Sequence, residues 1–210
     1  MNKNNLFYNY FKYALHLFII LITVFIISIC KRSKICIIIT TIMLMFLIYF
    51  FRNTPYTFID SNKIFISPSD GKVMDITSNG NYNRIHLYLA PYNKHFMISP
   101  VDAEVVNVYN KENKNDEERK KLVLKDTYGN IINLEHSVAK LFHWGWMLKV
   151  AVKERVKFSA KKGDKLKQGE PYGMIRFGSG MIYNIPKSYK LNVKKNDKIK
   201  IGKTIIAYKI

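Results

Sequence analysis

Two uncharged, mostly apolar runs open the chain, Ala14 to Cys30 and Ile35 to Phe51. Each is 17 residues long, and Lys31-Arg32-Ser33-Lys34 separates them. Neither carries the one-sided stripe of an amphipathic helix. A spanning helix takes roughly 20 apolar residues, with about 17 as the lower limit. The pattern therefore predicts a tight helical hairpin in a membrane, spanning it or re-entrant. A cleavable signal peptide fits less well, because a second apolar run follows at once and no small-residue cleavage site is evident.

After the linker Arg52 to Asp60 the pattern changes to short apolar runs split by turn residues. Ile64-Phe65-Ile66, Lys72 to Ile76, Arg84 to Leu89 and Val101 to Tyr109 read as strands. Pro91 and Pro100 bracket a further segment, Tyr92 to Ser99. Leu122-Val123-Leu124 and Ile131 to Leu134 flank Asp126-Thr127-Tyr128-Gly129-Asn130, a hairpin signal. The charged run Lys111 to Lys121 predicts a mobile loop. Ser137 to Lys153 has a helical look, although Phe142, Trp144 and Trp146 also allow a strand.

Two internal echoes stand out. Ser67-Pro68-Ser69-Asp70-Gly71-Lys72-Val73 is repeated in outline by Ser99-Pro100-Val101-Asp102-Ala103-Glu104-Val105. Lys161 to Gly169 is repeated by Lys194 to Gly202, each with Gly or Asn before Asp in a turn and an apolar residue two further on. Each echo is a hairpin unit whose apolar side needs a sheet to pack on. The expected fold is mainly β (α+β): one domain of short antiparallel strands and hairpins, residues 53–210, behind the membrane hairpin at 1–52.

Charge sharpens this picture. Lys and Arg number 34 against 15 Asp and Glu, a net +19. Six basic residues (Lys3, Lys12, Lys31, Arg32, Lys34, Arg52) precede the first acidic one, Asp60. Such a balance attracts polyanions, and beside two apolar runs an anionic lipid surface is the natural one. No arginine-rich arm or nucleic-acid motif is present, so nucleic acid is not an expected partner. The positive-inside rule nearly ties between the hairpin loop and its two ends. The two cysteines, Cys30 and Cys36, form no disulfide framework, which suits a reduced, cytoplasm-facing domain. The five histidines, at 16, 86, 95, 136 and 143, show no metal-ligand spacing, and no metal site is expected.

Candidate chemistry centres on Met174-Ile175-Arg176-Phe177-Gly178-Ser179-Gly180, a short apolar strand running into a Gly-Ser-Gly turn. Glycines on both sides leave the serine backbone unusually free. That suits an ordinary loop, and it also suits a serine that attacks its own preceding peptide bond. The stretch is neither a Gly-x-Ser-x-Gly elbow nor a phosphate-cradling loop. Taken singly, Ser179 and Asp70 are common turn residues, and His95 between two prolines is commonly structural.

Together these motifs carry a resemblance. Ser67 to Val73, then Leu89-Ala90-Pro91-Tyr92-Asn93-Lys94-His95 with Pro100, then Gly173 to Ser179, then Asn196 to Ala207 resemble the phosphatidylserine decarboxylases in their short prokaryotic form. Phe50-Phe51-Arg52-Asn53 behind an apolar hairpin is similar to that form as well. The resemblance covers nearly the whole chain, in order. It implies a zymogen cut between Gly178 and Ser179 into a β chain, 1–178, and an α chain, 179–210. Ser179 would become a covalent pyruvoyl group, the only cofactor. It would take the amine of phosphatidylserine as a Schiff base and act as electron sink for loss of CO2, leaving phosphatidylethanolamine. His95 would be the general acid, and Asp70 the base or histidine partner in self-cleavage. The enzyme would sit on the inner cell membrane, its catalytic domain on the cytoplasmic side, with a homo-oligomer allowed.

The chain departs from that pattern at defined positions. The longer bacterial form has a second histidine where this chain has Ile98, and the short form an arginine where this chain has Gly180. The family's Asn-Glu-Arg element is met only by Glu118-Arg119. Ser137 to Lys153 differs heavily. A reading of another class remains, because hairpins such as Lys194 to Ala207 also look like lipoyl-type β modules of non-catalytic membrane adaptors. A related pyruvoyl decarboxylase acting on another serine-headed lipid is the third reading.

Overall fold

The computed structural model describes residues 5–52, 61–112, 118–138, 155–176 and 180–210. Contacts divide the chain into 1–55 and 56–210. The first unit holds α1 (Asn5–Cys30) and α2 (Lys34–Phe50), joined by a turn in which Arg32 takes a positive φ of 51°. Polar side chains inside the helices are satisfied locally: Ser28 Oγ donates to the Val24 carbonyl and Thr40 Oγ1 to that of Cys36, each at 2.7 Å. Serine and threonine inside a helix commonly bond back to the preceding turn in this way. Large apolar side chains remain exposed along both helices, among them Ile19, Ile26, Ile38 and Met45.

The spanning form of the hairpin is corrected by helix length. Among the described residues no helix is long and apolar enough to cross a membrane.

The second unit is built of fourteen described strands. The two echoes prove to be two copies of one structural unit. In the first, β1 (Ile64–Ile66) runs through the Ser-Pro-Ser-Asp turn into β2 (Gly71–Asn79). In the second, β4 (Phe96–Ile98) runs through Ser99 to Asp102 into β5 (Ala103–Glu112). Ser67 Oγ donates to the Ser69 carbonyl and Ser99 Oγ to the Val101 carbonyl, both at 2.7 Å. The Val73 amide donates to Asp197 and the Val105 amide to Asp164. The copies also bind each other reciprocally: Ile66 N–H donates to the Pro100 carbonyl (3.1 Å) and Ile98 N–H to that of Pro68 (3.0 Å).

The remaining strands follow the same duplication. β8 (Val156–Phe158), β9 (Lys165–Leu166) and β10 (Pro171–Ile175) serve the second copy. β12 (Tyr189–Leu191), β13 (Lys198–Ile199) and β14 (Ile205–Lys209) serve the first. The turn before each short strand needs a left-handed residue, supplied by Gly163 (φ 89°) in one copy and Asn196 (φ 75°) in the other. Each copy thus ends in a three-stranded antiparallel sheet, β1-β14-β12 and β4-β10-β8.

Between them runs an eight-stranded antiparallel sheet, β13-β2-β3-β11-β7-β6-β5-β9, completed by β3 (Tyr82–Tyr88), β6 (Glu118–Asp126), β7 (Ile131–Val138) and β11 (Gly180–Pro186). β7 shows why it forms: Ile132, Leu134, His136 and Val138 are buried while Ile131, Asn133, Glu135 and Ser137 face outward. The Asp126 carboxylate holds the β6–β7 turn, accepting the amides of Tyr128 and Asn130. The buried apolar side chains of all three sheets form one core, from Phe65 and Val73 to Ile206 and Ala207.

Two expectations are corrected here. The run Lys111 to Lys121 is mostly strand, because β5 extends to Glu112 and β6 begins at Glu118. Residues 113–117 lie outside the described ones. The segment Ser137 to Lys153 begins as the end of β7, not as a helix, and its residues from 139 lie outside the described ones.

Candidate functional site

Asp70 ends the first Ser-Pro-x-Asp turn. One carboxylate oxygen accepts the Ile201 amide at 2.9 Å, the other the Lys94 amide at 3.0 Å. Asp102, its counterpart in the second copy, accepts the Gln168 amide at 2.8 Å and the Lys167 ammonium at 2.9 Å. Clipping the partner turn is therefore a property of the repeat. What sets Asp70 apart is its second contact, the amide next to His95.

His95 is buried, at 2% exposure, immediately before β4. Its carbonyl accepts the Ile175 amide at 2.8 Å, which ties it to the last residue of β10. Ile98, where the longer family form has a histidine, is wholly buried. Arg176 follows β10; its amide donates to the Arg155 carbonyl, and both arginines are buried.

Gly178 and Ser179 lie outside the described residues, but their flanks are informative. The chain leaves the β4-β10-β8 sheet after Ile175 and enters the middle of the eight-stranded sheet at Gly180. Gly180 pairs with Tyr88 of β3 on one side and with Ser137 of β7 on the other. It is thus a strand residue, not the second arm of a turn. Ser137 Oγ donates to the Gly180 carbonyl at 3.3 Å. A Cβ added at Gly180 would overlap that same Oγ. A side chain at this position would first have to turn the Ser137 hydroxyl aside.

The two ends of the site are laced together. Tyr183 of β11 is fully buried and shares a 2.6 Å hydrogen bond with Ser69, the neighbour of Asp70. Burial pushes the Tyr183 phenol above its usual range, so it remains a neutral hydrogen-bonding group. Asp70, the His95 backbone and the first residues of β11 are therefore joined through short contacts.

Sequence reasoning met His136 only as one of five histidines without metal-ligand spacing and passed over its environment. It lies on β7 next to Ser137, fully enclosed, with Nε2 2.9 Å from the Tyr172 hydroxyl. Its ring is stacked on Tyr172 and meets the edge of Phe158. Burial pushes its pKa down to about 3, so it is neutral at ordinary pH. Nδ1 has no hydrogen-bond partner among the described residues. The signal was present as a histidine in the buried phase of an alternating strand. His143 lies outside the described residues.

The family model for phosphatidylserine decarboxylase matches residues 43–207 of this chain. A phosphatidylserine decarboxylase proenzyme of Carboxydothermus hydrogenoformans is 28% identical over 175 residues, covering 79% of this chain and 80% of its own. One from Solibacter usitatus is 25% identical, with 79% and 80% covered. An archaetidylserine decarboxylase proenzyme of Methanococcoides burtonii, so named provisionally, is 30% identical over 173 residues, with 78% and 76% covered. No solved structure matches. With most of its length matched by that model, from the second apolar helix through the last strand, the chain belongs to the phosphatidylserine decarboxylase family of carboxy-lyases.

Proposed function

We propose that this chain is the proenzyme of a membrane-bound phosphatidylserine decarboxylase that cuts itself between Gly178 and Ser179 and turns Ser179 into a pyruvoyl group. The observation that carries the reading is the junction at Gly180. There a strand begins with its first residue paired between β3 and β7, while Asp70 holds the amide of Lys94 and the next residue, the buried His95, takes the Ile175 amide at the end of β10.

The residues present fit a pyruvoyl group. Position 179 is a serine with a glycine on either side of it. When formed, the group supplies a ketone that takes the substrate amine and draws off the electrons released with CO2. The protein does the rest. Ser179 Oγ attacks the Gly178 carbonyl, and the acyl shift needs the uncrowded backbone that glycine allows. Asp70 holds the Lys94 amide and so fixes the start of the His95 segment. His95 delivers the proton to the carbon that has lost CO2, from a position screened from bulk water.

The hairpin α1–α2 is the anchor. Its exposed isoleucines enter the lipid, and the 17 residues of α2 suit a re-entrant hairpin in one leaflet. The net +19 charge favours an anionic membrane, with the β domain on the cytoplasmic side. The products are a large chain, 1–178, carrying β1 to β10, and a small chain, 179–210, carrying β11 to β14.

The test is the intact mass of protein purified from membranes. Two polypeptides split between Gly178 and Ser179 are expected, the smaller blocked to Edman chemistry. Ser179→Ala leaves one uncut, inactive chain. An active preparation made of an intact 24.6 kDa chain sinks the reading. The resemblance to the Methanococcoides protein gives a second reading, a serine-headed lipid of archaeal backbone. Parallel assays with phosphatidylserine and archaetidylserine separate the two.

A further inference from the structure

The duplicated β domain carries an internal control for one of its surfaces. In the second copy the short edge strand β9 pairs with β5, and Lys165 lies opposite Glu104, which lies opposite Lys125 of β6. Charge alternates in sign along that row, as cross-strand neighbours prefer. The first copy keeps the register and changes the side chains. Lys198 of β13 lies opposite Lys72 of β2, and Lys72 opposite Tyr88 of β3. A lysine stands in the place of Glu104 and a tyrosine in that of Lys125. Directly paired residues share a face of the sheet, so two like charges sit side by side there, an arrangement that destabilises a sheet.

The carboxylates closest in sequence are engaged by other groups. Asp70 takes the amides of Lys94 and Ile201, Asp197 that of Lys194, and Asp75 the Lys195 ammonium at 3.5 Å. Lys72 and Lys198 make no ion pair or side-chain hydrogen bond among the described residues. Guarding the sheet edge explains only half of the pair. A lysine on an edge strand blocks pairing with another chain, and both copies have one, Lys165 and Lys198. Lys72 lies one strand further in. The surroundings add to the field: Lys194 to Lys203 hold five lysines against one aspartate. Tyr88 is 45% exposed on the row itself, and Tyr92 is 66% exposed on the loop that Asp70 clips beside Ile201. Such rings, apolar in body and polar at the tip, suit the headgroup layer of a membrane.

We infer that Lys72, Lys198 and Tyr88 form a docking edge for an anionic lipid leaflet, through which the β domain itself meets the membrane. The inference rests on the membrane-bound reading above and extends it from the apolar hairpin to the sheet. What is recognised is a negative surface and not one headgroup, so a lipid that is no substrate, phosphatidylglycerol, serves as the probe. Nucleic acid carries the same charge, but the exposed apolar helices and a family that acts on phospholipid favour the leaflet. A weak edge suffices, because a chain already held in the bilayer meets its surface at high effective concentration.

The experiment footprints lysines on the full chain, as wild type and as Ser179→Ala, so that the readout needs neither cleavage nor turnover. Protein is moved from detergent into nanodiscs of phosphatidylcholine, alone or with roughly a third phosphatidylglycerol. It is then acetylated briefly with an N-hydroxysuccinimide ester, and peptide mass spectrometry reads each lysine. A lysine against an anionic leaflet is worth about fivefold in binding. Lys72 and Lys198 are therefore expected to react about fivefold more slowly when phosphatidylglycerol is present, and Lys125 and Lys165 at an unchanged rate. Lys72→Glu restores the charge order that the fold already accepts at Glu104. It is expected to abolish the phosphatidylglycerol-dependent protection of Lys198, and Lys198→Glu that of Lys72, whereas Lys165→Glu alters neither. Equal protection in phosphatidylcholine alone, or equal protection of Lys125 and Lys165, overturns the inference. A single-stranded oligonucleotide that protects the pair as well as the anionic nanodisc does overturns it as a lipid edge. Protection in a wild-type chain that never cuts itself refutes the decarboxylase and keeps the edge.

Discussion

Acidification tests the enclosed histidine most directly. His136 is neutral in the folded protein because burial lowers its pKa from 6.5 to about 3. In the unfolded chain it titrates normally. Between those values the unfolded state binds more protons, so stability falls as pH falls. The contribution is complete above about pH 6.5 and is lost at about 1.4 kcal/mol per pH unit on the way down. At pH 5 the loss is about 2 kcal/mol, a large share of the roughly 5–15 kcal/mol that holds a domain folded. The comparison is His136→Phe with Tyr172→Phe, which removes both partners of the 2.9 Å hydrogen bond and strands neither. Urea unfolding followed by far-UV circular dichroism in detergent, from pH 7.5 to 5, gives both slopes. The wild type is expected to lose about 2 kcal/mol more than the double variant over that range. Parallel slopes would refute the enclosed, neutral histidine.

Three further outcomes follow from the site. Asp70→Asn keeps one acceptor where two amides now bind, and is expected to cost about 1–3 kcal/mol and to slow self-cleavage in a gel time course. Asp102→Asn is expected to cost a similar amount and leave cleavage untouched; equal slowing would reduce Asp70 to a structural clip. Gly180→Ala is expected to cost about 1–3 kcal/mol in thermal unfolding, with most of the loss relieved by Ser137→Ala, whose Cβ stands a comfortable 3.8 Å away. No relief would mean that the clash lies elsewhere. His95→Gln is expected to retain self-cleavage better than decarboxylation if its main task is proton delivery, read as pyruvoyl content against CO2 release; normal turnover would place the acid elsewhere.

Much of the fold was legible along the chain because the responsible forces are local. Alternation marked Ile131 to Leu134, Asp126 to Asn130 marked its turn, and the Gly-or-Asn-then-Asp signature marked both copies of the short-strand hairpin. The echoes were visible as text, and the same text foretold the same hydrogen bonds. Their reciprocal clasp through Pro68 and Pro100 was not, since nothing in either copy names its partner. Gly180 was opaque for the same reason: its neighbour Ser137 is 43 residues away and decides what fits. His136 needed the β10 strand to supply Tyr172 before it differed from any core position. The charged run at 111–121 misled because its composition is that of a loop, whereas the pairing of β5 with β6 that makes most of it strand is not written in the composition. The non-catalytic adaptor reading drew on real hairpin similarity, and the family match decides against it.

The position of β11 has a consequence for the life of the protein after the cut. β11 is hydrogen-bonded along its length to β3 and β7, and β14 fills the centre of another sheet. All four strands of the small chain would be made in one piece with the large chain and then severed from it. Folding is then a one-molecule event and maturation closes the route behind it. With the proposed cut made, the unfolded mature enzyme would have to reassemble from two partners, and its recovery would depend on concentration. Its working lifetime is set by how slowly the small chain peels out.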